Sequence, residues 1–211
     1  MPKLIKTAWQ GRLISIQPRI RLTRSFDQRY HTYSGYVLCI DGELDDTEGI
    51  FQIAIGKKAQ EKFQFQIGDE VAGASVPVAE DRLEIAGYYK TSGLKLLASN
   101  PLQNPTAPPF VGIPPTIEVY RERGHRRLDS RTYKSKCLQC IWGCKMAVEM
   151  IIDHWNPSVK RYRVETFCYG PKSCSFYRAG KPRKVPGRKG MVYTEEDWLD
   201  EETTSHRGED E

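Results

Sequence analysis

Cys137-Leu-Gln-Cys140-Ile-Trp-Gly-Cys144 opens the stretch that decides how the second half of this chain folds, and Cys168-Tyr-Gly-Pro-Lys-Ser-Cys174 closes it. Between them lie two apolar runs, Met146 to Ile152 and Val159 to Phe167, joined by the turn Asp153-His-Trp-Asn-Pro157. These are expected to pair as a β-hairpin. A two-stranded hairpin is marginal in water, so something must hold its ends. Thiolates that arrive in two tight groups can close on one tetrahedral ion, which contributes on the order of 10 kcal/mol to folding. Five cysteines compete for four positions. Cys137, Cys140, Cys168 and Cys174 form the expected set, with Cys144 able to replace Cys140. The expected ion is a structural Zn2+, and an iron–sulfur cluster is the alternative that takes the same ligands. Cys39 stands alone in an apolar run and reads as core, and His154 reads as a turn residue rather than a ligand.

Ahead of this stretch the pattern is that of strands. Ile14, Ile16, Ile20 and Leu22 alternate with Ser15, Gln17, Arg19 and Arg21, the period of a half-buried strand, and Pro18 is expected to mark a bulge or bend. A basic, aromatic loop over 23–34 follows. Further strands are expected over 36–40, 50–55, 70–78, 82–90 and 94–97, with a short helix over 57–63 and a turn at Ser92-Gly93. Three strands, a helical piece and more strands in so short a span fit a small Greek-key barrel. The fold class is therefore mainly β, a small barrel plus a cysteine hairpin.

The order of elements over residues 9–98, together with the phrase Phe65-Gln-Ile-Gly-Asp-Glu-Val71, resembles the OB-fold. That resemblance implies binding of oligonucleotides or oligosaccharides on one strand face and its loops. The cysteine stretch, residues 137–174, resembles a zinc ribbon, in which two cysteine knuckles at one end of a hairpin hold one zinc. Carried over, Cys137 and Cys140 make the first knuckle and Cys168 and Cys174 the second. Cys144 is an extra cysteine, and five residues separate the second pair where the ribbon has two.

Charge points to a partner. The tail from Glu195 holds nine acids and one Arg207, which leaves the first 194 residues at a net +13. A body this basic attracts polyanions, nucleic acid above all. Cations beside rings suit single strands, whose bases lie on the rings while the cations meet phosphate. Candidates on and beside the barrel are Arg19, Arg21, Arg24, Arg29, Tyr30, Tyr33, Tyr88 and Lys90. The run from Arg121 to Lys136 carries seven bases and two acids and adds Arg121, Arg123, Arg126 and Arg127.

The expected division is an OB-like barrel over 1–100 and a proline-rich linker over 101–120 with a possible strand over 116–120. The basic segment and cysteine module follow over 121–178, then a flexible basic arm and acidic tail over 179–211. The tail is expected to fold back over the arm or the barrel face. No GxxxxGK[ST], GxSxG or HExxH sequence is present, and the four histidines are scattered, so nothing argues for catalysis. No run reaches the roughly 18 apolar residues of a membrane span, and a cytoplasmic protein is expected. The reading is a non-catalytic binder of single-stranded DNA or RNA with structural zinc. The alternative is a zinc-stabilised module that contacts other proteins in a larger assembly.

Overall fold

The alternation around Ile16 and Ile20 belongs to an 18-residue strand, β1 (Thr7–Arg24), on which the rest of the molecule is assembled. The computed structural model describes residues 5–100, 106–195 and 198–208 and is mainly β. The start of the proline-rich segment, including Pro101 and Pro105, and the acids Glu196, Asp197 and 209–211 lie outside the described residues.

β1 pairs antiparallel with β2 (Arg29–Leu44) from Trp9 to Arg24, and β2 turns at Asp45-Asp46 into β3 (Thr47–Ile55). A short helix, α1 (Lys57–Phe63), follows, ending where Gln64 takes a left-handed conformation. Then come β4 (Glu70–Pro77) and β5 (Tyr88–Ala98). β4 pairs with both β5 and the first third of β1, and β5 touches β3 in parallel at Ile53 and Tyr88. Five strands thus form a ring in the order β1-β2-β3-β5-β4, closed back on β1. Gly42 allows one side of that ring to tighten, because a Cβ there would stand 2.2 Å from the Gln10 carbonyl oxygen.

The phase of β1 changes partway along. Its pairing with β2 slips between Leu13 and Ser15, so Leu13 and Ile16 both point inward and Ile14 is turned out, against the expected assignment of Ile14 to the buried face. A bulge inserts one unpaired residue and reverses alternation beyond it. The other slip falls between Arg19 and Ile20, while Pro18 pairs in register with Tyr36. Inside the ring Trp9, Leu13, Ile16, Leu38, Ile40, Ile53, Phe65 and Val71 are buried, each contributing roughly 1.5–3 kcal/mol by leaving water.

Several local expectations are corrected. The loop expected over 23–34 is only Ser25 to Gln28, with Arg29 to Ser34 already in β2. Of the strand expected over 82–90 only Tyr88 to Lys90 is strand, the start of β5; before it lie a 3-10 turn, Asp81–Leu83, and irregular chain. There the Glu84 carboxylate accepts the backbone N–H of Ile85 and Ala86 and holds the bend. β5 then continues through Ser92-Gly93 instead of ending in a turn there, with a bulged register against β4 where Lys90 and Gly93 take positive φ. The strand expected over 116–120 is a helix, α2 (Ile117–Arg123), because Ile117 and Tyr120, one turn apart, both enter the core.

Beyond α2 lie β6 (Arg126–Arg127), a helical turn α3 (Ser130–Thr132) capped by Asp129, β7 (Gly143–Ile151) and β8 (Lys160–Cys168). β7 and β8 are the cysteine hairpin. β7 also lies parallel to β1, Arg21 to Arg24 beside Ala147 to Met150, so the hairpin continues the barrel's sheet. Tyr120, Met146, Val148, Phe167 and Tyr169 share one core with the barrel side chains. The basic arm, expected to be flexible, is ordered. It forms β9 (Lys184–Pro186), paired with β10 (Val192–Thr194), and Ala179 bridges to Leu128. A last helix is α4 (Trp198–Thr204). Among the described residues no helix is long and apolar enough to cross a membrane.

Candidate metal centre and nucleic-acid interface

Four of the five clustered cysteines share one small cavity. Asp129 caps α3, which runs on into a wide π-helical turn over Tyr133–Cys137 that delivers Cys137 and then Cys140, while the end of β8 delivers Cys168 and the next turn delivers Cys174. Phe110, Leu128, Trp142 and Tyr177 pack around them. Cys144 is elsewhere. Strand alternation turns it to the barrel side of β7, where it is fully buried with Sγ 3.6 Å from the Pro18 carbonyl oxygen. Cys140, not Cys144, therefore stands with Cys137, Cys168 and Cys174.

Burial pushes the Cys137 thiol up to about 12, and the neighbouring Cys140, Cys168 and Cys174 push it further in the same direction. Burial likewise raises Cys140, to about 11, and Cys168. Thiols that disfavour each other's ionisation become good ligands once a cation supplies the opposing charge. The Gly170 N–H already points at the Cys168 sulfur, 3.4 Å away, and a Cβ on Gly170 would crowd Trp142. Among the described residues, no three His, Cys, Asp or Glu side chains are gathered closely enough to hold a metal ion as they stand. Four thiols match a tetrahedral ion in number and in kind of donor.

A groove of about 610 Å³ runs beside this cluster, across the outer face of β1, β2 and β3. Ile14, Ser15, Gln17, Val37, Cys39, Ile50 and Gln52 form its floor. Its wall is the chain that carries the first cysteine pair, Tyr133 to Gln139, with Lys145 of β7 and Phe176 beside it. Three lysines line the groove, Lys134, Lys136 and Lys145, and no carboxylate does. Ile50 and Leu138 are exposed there.

The twelve residues expected to touch nucleic acid lie outside this groove. Arg19 is tied to Glu84. Arg21 and Tyr88 are half-buried, the latter against the barrel core. Arg24 and Arg127 are each 2% exposed, so they are not surface cations at all. Arg24 pairs with Glu165 and Glu195, Arg29 with Glu195, and Arg127 with Asp200. Tyr30 is 70% exposed, Lys90 lies over Tyr89, and Arg121 lies over Tyr33. Arg123 donates to the Tyr169 carbonyl and Arg126 to that of Pro171, the latter stacked on Tyr177. Glu195 and Asp200 thus bind barrel and cysteine-side arginines, one part of the expected fold-back of the acidic tail. Lys145 could have been found in the sequence, since it alternates with Cys144 and Met146 and so faces outward.

No family, curated protein or solved structure matches this chain. Its function must come from its own geometry.

Proposed function

We propose that the chain binds single-stranded nucleic acid along the groove between the strand ring and the cysteine cluster. The observation that carries this reading is the groove's lining, three lysines with no acid opposing them over an apolar floor. Lysines meet phosphates, while Ile50, Leu138 and the ring of Phe176 suit unstacked bases. The ring order, with a helix between β3 and β4 and a parallel β3–β5 contact, supports the OB-fold resemblance, in which this face is a binding face.

Cys137, Cys140, Cys168 and Cys174 would hold a structural Zn2+, and its place is to fix the groove wall. A four-thiolate zinc has no open position for water, so the ion supplies shape and charge rather than a reaction. The test is fluorescence anisotropy with single-stranded DNA, single-stranded RNA and duplex probes. Single strands are expected to bind most tightly and to lose most of that affinity in the Lys134→Ala, Lys136→Ala, Lys145→Ala triple variant. Wild-type binding by that variant would remove the groove assignment. If no probe binds the metal-replete chain, the alternative of a protein-contacting module takes its place.

A further inference from the structure

The second cysteine pair spans a wide loop, Cys168-Tyr-Gly-Pro-Lys-Ser-Cys174, whose carbonyls are taken by arginines from distant parts of the chain. Arg123 Nε donates to the Tyr169 carbonyl at 2.8 Å. Arg207 Nη1 donates to the carbonyls of Tyr169 at 3.2 Å and Gly170 at 3.1 Å. Arg126 donates to those of Pro171 at 2.8 Å and Lys172 at 3.4 Å. The carbonyls of Tyr169, Gly170, Pro171 and Lys172, consecutive in the chain, thus each accept a guanidinium N–H. A tight turn fixes itself with its own backbone bonds, whereas a wider loop must borrow donors from outside.

The farthest donor comes from the C-terminal segment. Arg207 is the one Lys or Arg among the acids that follow Glu195, and it is buried. The grip is reciprocal, because Lys172 of the loop donates through Nζ to the Arg207 carbonyl at 2.8 Å. The neighbouring His206 ring lies 2.7 Å from the Glu122 carbonyl oxygen, and Asp200 of α4 pairs with Arg127. Gly124 admits the segment, since a Cβ there would stand 2.2 Å from the Thr203 carbonyl oxygen. Arg126 is stacked on Tyr177, 3.8 Å from its ring centroid, and Tyr177 packs against the cysteines. Burial raises the Cys168 thiol, and the Gly170 N–H, Arg126 and Arg207 act against that burial.

We propose that Arg126 and Arg207 are positioning residues of the metal centre, so that docking of the C-terminal segment and capture of the ion are one coupled event. The proposal rests on the reading of the four thiols as a metal site. With the segment docked, the loop keeps Cys168 and Cys174 at the shared cavity. Four thiolates around a divalent ion leave negative charge over, which favours cations held beside the loop. Whatever docking adds to the affinity for the ion, the ion adds to docking.

The test measures zinc affinity of the full chain by competition with a chromophoric chelator, and amide hydrogen exchange over 198–208 with and without zinc. Arg207→Gln is expected to weaken zinc by about 10- to 100-fold, and Arg126→Gln to act in the same direction. Zinc should slow exchange over 198–208 in the wild-type chain by a comparable factor, and Arg207→Gln should abolish that slowing. Arginines that serve the fold alone would leave exchange over 198–208 equal with and without zinc, and that result overturns the proposal. Unchanged zinc affinity in Arg207→Gln or in Arg126→Gln overturns it too. A wild-type chain that takes up no zinc removes the metal reading and this proposal with it, so the wild type alone tells the two failures apart. Arg126 is half-buried and its side chain donates to this loop, so its variant decides if Arg207→Gln fails to fold.

Discussion

The side-chain amide of Gln17, on β1, donates to the carbonyl of Cys137 at 2.9 Å, from a residue 120 positions earlier in the chain. The same amide reaches the Cys140 carbonyl at 3.0 Å, and the Tyr133 hydroxyl donates back to its oxygen at 2.7 Å. One barrel residue thus holds the backbone of the first cysteine pair and the wall of the lysine groove. Gln17→Leu keeps the volume but removes these buried side-chain hydrogen bonds and leaves the Tyr133 hydroxyl without its acceptor, while the two carbonyls keep the N–H groups of Cys140 and Gly143. A loss of about 2–3 kcal/mol is expected in urea unfolding. Metal affinity should also fall by about 10- to 100-fold, the usual cost of removing a group that orients ligands. Unchanged stability would show that the knuckle does not lean on the barrel.

Metal analysis of cysteine variants separates the four shared thiols from the fifth. Serine at Cys137, Cys140, Cys168 or Cys174 is expected to abolish stoichiometric zinc. Cys144→Ala should keep the zinc and lose roughly 1–2 kcal/mol, because it only leaves a small hole in the core beside Pro18. Zinc lost from Cys144→Ala and retained in Cys140→Ser would reverse the assignment. Visible absorption from the purified chain would instead indicate an iron–sulfur cluster.

How much of this was legible in the residues differs from element to element. The period-two alternation of β1 and the helix over 57–63 were readable because the local pattern and the final environment agree. Ile14 was misplaced because a bulge is decided by the partner strand. Cys144 was assignable in principle, since it shares parity with Met146, Val148 and Met150 on one strand face. The arginines were not. Arg24 lies 141 residues from Glu165 and 171 from Glu195, and no local pattern separates a guanidinium that will be buried against distant acids from one that will meet a phosphate.

Arg24, Arg29, Arg163 and Arg183 share two glutamates, Glu165 and Glu195, and that ratio predicts an asymmetry between mutants. Glu165→Gln removes the carboxylate that ion-pairs with both Arg163 and Arg183 and leaves Glu195 as the one glutamate in contact with this group of arginines. It should cost about 3–5 kcal/mol. Arg24→Met leaves each glutamate with another arginine and lowers the excess charge, so its cost should be clearly smaller. Equilibrium unfolding of both variants checks the order, and a larger loss in Arg24→Met would show that the charge excess is compensated by other groups.

Salt dependence measures how many phosphates the groove meets. Three lysines on a single strand give a slope of about −2 in log affinity against log salt, at about 0.7 per phosphate contact. Each Lys→Gln change at Lys134, Lys136 or Lys145 should flatten that slope by roughly 0.7. A slope that stays the same in all three single variants would place the phosphates elsewhere on the surface.

Acid should weaken the fold before the carboxylates titrate. The His31 imidazole is pushed down to about 4, first by burial and then by Arg29 and Arg24, and His125 moves the same way. Above the ordinary histidine value near 6.5, both folded and unfolded chains carry neutral rings and pH has no effect through them. Below it the unfolded chain takes up protons that the folded chain refuses, so stability falls with pH until His31 also protonates near 4. The whole window is worth on the order of 3 kcal/mol for His31, and roughly 2 kcal/mol of that falls between pH 6.5 and 5, above the carboxylate range. Urea unfolding at pH 7, 6 and 5 in phosphate-free buffer measures it. His31→Gln, which has no proton to gain, should retain only the part due to His125. A wild-type stability that does not change over this interval would mean that the two rings are not held neutral beside the arginine cluster.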